Sequence, residues 1–193
     1  LVVMGGLSGS GKSTLARELA ERLGQEVVST DTIRQQSLGP STAPAPYGQG
    51  HYQPEQREQV YRQLVQRASD ELAQGVSLIV DGTFLRQSQR EQMFAAARQQ
   101  GGAPLFVECQ CDRETALARI RQRAEEGTSD SEARVDIYEQ QTREIEPPTD
   151  DEPHVAIETT RPMEEQVTLV FEALRHQLQS QLHKEDGIDD QDV

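Results

Sequence analysis

Gly6-Leu7-Ser8-Gly9-Ser10-Gly11-Lys12-Ser13 decides how this chain is read, because it satisfies G-x-x-x-x-G-K-[ST] at every fixed position. Its flanks agree. Leu1, Val2 and Val3 begin a short apolar run before it, and Thr14–Leu23 follows with apolar residues at helical spacing. A strand, a glycine-rich turn and a helix form a phosphate cradle. Gly9, Ser10, Gly11, Lys12, Ser13 and Thr14 supply backbone N–H groups at a helix N-terminus, whose partial positive charge favours anions. Lys12 can reach β- and γ-phosphates, and the Ser13 hydroxyl can ligate Mg²⁺.

Working outward, five strand-like runs alternate with helical stretches. The runs are Leu1–Gly5, Glu26–Ser29, Val76–Val80, Leu105–Cys111 and His154–Glu158. Helices are expected over Lys12–Leu23, Pro54–Gln74, Ser88–Gln100, Arg113–Glu126, Glu132–Glu144 and Pro162–His183. This alternation implies an α/β fold, with a five-stranded parallel sheet and helices on both faces. Ligands of such sheets bind beyond the carboxyl ends of the strands. Residues 1–185 read as one domain. Within it, 39–53 is too long for an ordinary connection and reads as a substrate loop, and 124–134 reads as a lid. Residues 186–193 form an acidic tail expected to be disordered. The chain starts on a strand without an initiator Met, which suggests a domain cut from a longer protein.

Net charge is −14, with only two lysines, Lys12 and Lys184. So acidic a surface repels a phosphate backbone, which makes long nucleic acid an unlikely partner and favours a small acceptor. No apolar run approaches the ~20 residues of a membrane span, so no membrane partner is expected. Cys109 and Cys111 read as reduced core thiols of a cytoplasmic protein. The four His are scattered and suggest no metal site.

The chemistry-bearing residues fall at strand ends. Asp31 follows the second run and can accept a proton from an attacking hydroxyl, or it can cap a helical turn beginning at Thr32. Arg34 can hold an anionic group of an acceptor with a bidentate fork. Asp81 ends the third run, where a carboxylate holds Mg²⁺ directly or through water, and Thr83 can position an acceptor. Arg119 and Arg123 lie four apart on one helical face leading to the lid, placed to stabilise a transferring phosphoryl group or to pair with Glu125 and Glu126. Arg90 is a further candidate for the acceptor site. Tyr47, His51 and Tyr52 can shape the pocket from the long loop.

The pattern resembles the small phosphate-loop kinases, in the branch with polynucleotide 5′-kinase, zeta-toxin kinases and chloramphenicol phosphotransferase. It is most similar to kinase-like domains fused to aminoglycoside-phosphotransferase-like domains. The resemblance rests on residues 6–14, Asp31-x-x-Arg34, Tyr61, Val-Asp-Gly-Thr-Phe-Leu at 80–85, Arg90, and Arg119-x-x-x-Arg123. Ser129-Asp130 and Gln140 or Gln141 around the lid complete it. It implies a three-layer P-loop NTPase fold with a helical lid, and ATP and Mg²⁺ as cofactors. It also implies Lys12, Asp31, Arg119 and Arg123 as catalytic residues, with Asp31 the general base. Arg119 would also hold the nucleotide; Asp31, Arg34, Thr83 and Arg90 would hold the acceptor; Ser13 and Asp81 would hold the metal. The implied activity is transfer of the ATP γ-phosphate to a hydroxyl of a small molecule. A 5′-hydroxyl kinase for nucleosides or short nucleic acids, and an ATP-binding regulatory domain of a larger protein, are the competing readings. A fused or partner phosphotransferase-like domain is a further expectation.

Overall fold

A computed structural model describes residues 1–38, 53–126 and 135–185. The central part of the sequence-derived lid (127–134), the tail 186–193, and Tyr47, His51 and Tyr52 of the substrate loop lie outside the described residues. The elements in order are β1 (Val2–Gly5), α1 (Lys12–Leu23), β2 (Glu26–Ser29), α2 (Thr30–Leu38), α3 (Pro54–Ala73), β3 (Leu78–Asp81), α4 (Gln87–Gln99), β4 (Leu105–Gln110), α5 (Arg113–Glu126), α6 (Val135–Glu144), β5 (His154–Glu158) and α7 (Met163–Glu185).

The strands make one sheet in the order β2-β3-β1-β4-β5, and every pair is parallel. The period-2 alternation of side chains divides the core. Val3, Val28, Val80 and Phe106 face one way, onto Val60, Leu64 and Ala68 of α3 and Met93, Phe94 and Ala97 of α4. Val2, Met4, Ile79, Val107 and Ile157 face the other way, onto Leu15 and Leu19 of α1 and Val167 and Val170 of α7. With helices on both faces, the central strands are buried on both sides, and β1, β3 up to Asp81 and most of β4 are apolar. A smaller cluster of Ala116, Leu117, Ile120 and Tyr138 packs α5 and α6 against Leu7 of the glycine-rich loop. Among the described residues no helix is long and apolar enough to cross a membrane.

Two boundaries differ from the sequence reading. The third strand begins at Leu78, because Val76 N–H bonds Glu71 O at 3.0 Å and finishes the preceding helix. Residues 30–38 form a helix, α2. Its short, mostly polar sequence carries too few apolar positions for a 3.6-residue period to be visible.

Candidate active site

β1 sits between β3 and β4, while the chain leaves it for β2 at one edge of the sheet. A crevice therefore opens at its carboxyl end, and the glycine-rich loop fills it. Two glycines there are required by geometry. Gly6 has φ 132°, and a Cβ on it would lie 2.3 Å from Cys109 O; Gly9 has φ 78°, with a Cβ 2.4 Å from Ala116 O. Both conformations disfavour L side chains, and the obstructing atoms are backbone. Lys12 Nζ donates to Leu7 O at 3.4 Å, so its ammonium lies across the loop. The Ser8 N–H donates to Gln141 Oε1 of α6 at 2.8 Å, which ties the loop to the helix beyond the lid segment.

The cleft above the loop is lined by Ser8, Gly9, Lys12, Ser13, Thr30, Asp31, Arg34, Arg57, Val60, Tyr61, Asp81, Gly82, Thr83, Arg123, Ile137 and Gln141. Nine side chains singled out in the sequence thus meet: Lys12, Ser13, Asp31, Arg34, Tyr61, Asp81, Thr83, Arg123 and Gln141. Among the described residues four cationic side chains and two carboxylates line it, the reverse of the chain's overall balance of −14.

Asp31 lies in the first turn of α2. The cap of that helix is Ser29, whose Oγ accepts the Thr32 N–H at 2.9 Å, and the Asp31 carboxylate instead pairs with Arg34 at the mouth of the cleft. Asp81 ends β3 and is 7% exposed. Burial pushes its pKa up; Lys12 and a hydrogen bond from the Ser13 hydroxyl oppose this. Its Oδ1 has no hydrogen-bond partner among the described residues. A buried orphan carboxylate oxygen beside a hydroxyl is a hard-oxygen donor set, and these residues fit Mg²⁺.

The wall opposite is built by Tyr61 and Thr83. Tyr61 Oη accepts the Phe84 N–H at 3.0 Å and lies 3.2 Å from Thr83 Oγ1. It thereby holds the turn after β3, where Phe84 has φ 44°. The Thr83 carbonyl accepts the Gly6 N–H at 3.0 Å, which fixes this wall relative to the phosphate loop.

Two arginines are placed differently from the sequence reading. Arg90 is not in the cleft. It is 1% exposed, pairs with Glu152 at 2.6 Å, donates to the carbonyls of Phe84 and Glu146 and stacks over Phe106 at 5.3 Å. All its donors face protein, so its assignment to acceptor binding is corrected to a structural role. Arg119 lies behind the loop, donating to Gly9 O at 3.4 Å and to Thr159 Oγ1 and O, both at 3.0 Å; it faces the loop but does not line the cleft. Ser10 Oγ is buried beneath the loop without a partner among the described residues. Gly11 closes the loop ahead of α1, and Thr14 N–H donates back to Gly11 O at 3.1 Å. Cys109 is a free thiol whose pKa burial pushes up to about 12, and Cys111 is also free.

Arg57 went unread in the sequence. It lies on α3 one turn before Tyr61 and pairs with Glu144 at 3.2 Å. The signal was there: Pro54 at the start of the helix fixes its phase, and the i, i+4 spacing puts Arg57 on the face of Tyr61.

Residues 1–148 match the AAA_33 family, described as an AAA domain. The uncharacterized protein Rv2004c of Mycobacterium tuberculosis (strain ATCC 25618 / H37Rv) is 33% identical over 138 residues, 70% of this chain and 28% of that protein. The match thus takes in well under half of that relative's length. A sugar kinase from Janibacter sp. HTCC2649 superposes with a TM-score of 0.67 at 21% identity, covering 90% of this chain and 93% of that one. The Mycobacterium tuberculosis APS kinase CysC, in complex with AMPPNP and APS, superposes with a TM-score of 0.62 at 19% identity, covering 90% and 96%. At these identities the structures speak for the fold, which is that of the P-loop kinases.

Proposed function

This chain belongs to the AAA_33 family, and from that premise we propose that it is an ATP-dependent phosphotransferase that moves the γ-phosphate of ATP to a hydroxyl of a small molecule. The observation that carries the reading is the shared cleft. Lys12 and Ser13 of the phosphate loop, Asp81 at the end of β3 and Asp31 in the first turn of α2 all line it. A loop that only bound nucleotide would not need a second carboxylate lining its cleft from another element.

The nucleotide's phosphates lie on the N–H groups of residues 9–14 at the N-terminus of α1. Ser13 and Asp81 would hold Mg²⁺, which when bound neutralises charge on the β- and γ-phosphates. The acceptor hydroxyl is held beside Asp31. As its oxygen bonds to the γ-phosphorus, the bond from that phosphorus to the bridging β-oxygen breaks, and the hydroxyl proton passes to the Asp31 carboxylate. Lys12 and Arg123 stabilise the charge on the phosphoryl oxygens during transfer. The ion pair with Arg34 orients the Asp31 carboxylate.

The test is transfer from γ-labelled ATP with Mg²⁺ across sugars, aminoglycosides, nucleosides, 5′-hydroxyl oligonucleotides and a metabolite extract. A labelled small molecule is expected. It should vanish in Asp31→Asn, which retains ATP binding, and in Lys12→Ala, which binds ATP poorly. Wild-type turnover by Asp31→Asn removes the base assignment. Label only on oligonucleotides, with a steep salt dependence, moves the reading to a 5′-hydroxyl kinase. Tight ATP binding with no labelled product leaves a regulatory nucleotide-binding domain.

A further inference from the structure

Gln141 is a buried amide of which the fold uses one half. It is 5% exposed and lines the cleft with Ser8, Lys12 and Arg123, whereas its neighbour Gln140 is exposed. Two contacts a turn apart seat α6 on the phosphate loop. Tyr138 packs in the cluster that takes in Leu7. Gln141, three residues on and so on the same helical face, accepts the Ser8 N–H on its Oε1 at 2.8 Å. A backbone N–H can only donate, so the carboxamide has one orientation, with its oxygen to the loop and its nitrogen turned from it. The two Nε2 protons have no partner among the described residues. Leaving amide donors unanswered in so enclosed a place is costly, and the space this side chain borders is the cleft. The same bond consumes a loop donor, because the Ser8 N–H is no longer offered to a phosphate oxygen. The Ser10 N–H is likewise spent, on Leu7 O at 3.1 Å. Gln141 thus takes one N–H out of the loop and returns two from α6.

We propose that Gln141 is a phosphate-binding residue, whose Nε2 group donates to an oxygen of the γ-phosphate while its Oε1 holds the loop. The proposal rests on the phosphotransferase reading and adds a ligand for the transferring group. The inner phosphates lie on the N–H groups at the N-terminus of α1. The γ-phosphate lies further out, between the loop and Asp31, in the cleft that Ser8, Lys12, Asp31, Arg123 and Gln141 all border. During transfer the charge spreads over the equatorial oxygens of the phosphoryl group, and donors already aimed there need no reorganisation. Lys12 and Arg123 bring charge on long, rotamer-rich stems. The Gln141 amide is held at both ends, by α6 and by the loop, so its N–H groups are fixed before the nucleotide arrives. ADP has no γ-phosphate, so it offers Gln141 no oxygen at this point. The residue therefore acts on the choice between nucleoside triphosphate and diphosphate.

Calorimetry with Mg²⁺ measures the affinities of AMPPNP and of ADP for the wild-type chain and two variants, and the ratio of the two affinities is the readout. Gln141→Glu keeps the shape and an oxygen for the Ser8 N–H, and replaces the donor by an acceptor. It should weaken AMPPNP about tenfold or more while ADP stays within about threefold of wild type. Gln141→Leu removes both halves of the amide and should weaken AMPPNP several-fold more than ADP. A side chain that only anchored the loop gives another pattern. Gln141→Glu would then bind both nucleotides as wild type does, and Gln141→Leu would weaken both by the same factor. Either result overturns the proposal. Tighter AMPPNP binding by Gln141→Leu also overturns it, since Gln141 would then compete with the nucleotide for the Ser8 N–H. Should Gln141→Leu fail to fold, the ratio in Gln141→Glu decides alone. Wild-type protein that binds neither nucleotide strikes the phosphotransferase reading and this proposal together; normal binding with an unchanged ratio in the variants strikes this proposal only.

Discussion

Asp81 illustrates how a single residue stores the tension of a site. Its carboxylate is buried at the end of β3 with one oxygen unpartnered among the described residues. Burial raises its pKa above the ordinary value of 3.8, so the folded chain holds this proton more tightly than the unfolded chain does. Its contribution to stability is therefore fully present below the unfolded value, and is lost as pH rises through the higher folded one. Whenever the group is ionised in the fold it costs stability. Asp81→Asn removes the charge and keeps the shape, so the ligand-free protein should gain about 1 kcal/mol at pH 7 and lose its Mg²⁺-dependent nucleotide binding. Thermal denaturation without ligand, beside titration with Mg²⁺ and AMPPNP, checks both halves. A variant less stable than wild type at pH 7 removes the account of Asp81 as a strained charge.

At the scale of elements, the segment after α6 is bolted to α4. Glu146 N–H donates to Leu85 O at 2.8 Å, and Glu146 Oε2 accepts the Gln87 N–H at 2.7 Å, at the first residue of α4. Arg90 reaches from α4 to the Glu146 carbonyl and to both oxygens of Glu152. This holds α6 so that Gln141 meets Ser8. Arg90→Ala would leave the Glu152 carboxylate buried and unanswered, a loss of about 3–5 kcal/mol. Burial pushes the Glu152 pKa up, but the hydrogen bonds and charge of Arg90 outweigh it, and the net value falls below the ordinary 4.5. The pair's contribution is thus fully present above that value and fades as pH falls through the lower folded one. Urea denaturation at pH 7 and near pH 3 should show the gap between wild type and Arg90→Ala shrinking in acid. A gap independent of pH argues that Arg90 acts by packing on Phe106 alone.

For the whole molecule the dominant electrostatic fact is the net charge of −14. Self-repulsion at that charge opposes the compact state and is screened by salt. Raising NaCl from about 0.05 to 0.5 M should raise the melting temperature by ~3 °C, a gain on the order of 1 kcal/mol for a chain of this size. The same salt should weaken anion binding in the cleft, where the local balance is cationic. A melting temperature that falls with salt would show that local ion pairs outweigh the overall repulsion.

The sequence by itself determined the phosphate loop, the alternating apolar runs and hence the parallel α/β sheet. Each of these is written in local periodicity or in glycines that a tight turn demands. It also placed Asp31, Arg34, Asp81 and Thr83 at the carboxyl ends of strands, because a strand's end is visible where its apolar run stops. It could not separate Arg90 from Arg123, since both are arginines on helices and one is buried only because the segment after α6 closes over it. It passed over Arg57, whose meaning depends on α3 turning that face to the strand-end wall. The cap of α2 went to Ser29, and Asp31 was released to the cleft, through side-chain hydrogen bonds that spacing alone leaves degenerate. Which charges share a cleft, and which are consumed inside the fold, was decided by tertiary packing, because burial and pairing are properties of neighbours far apart in the chain.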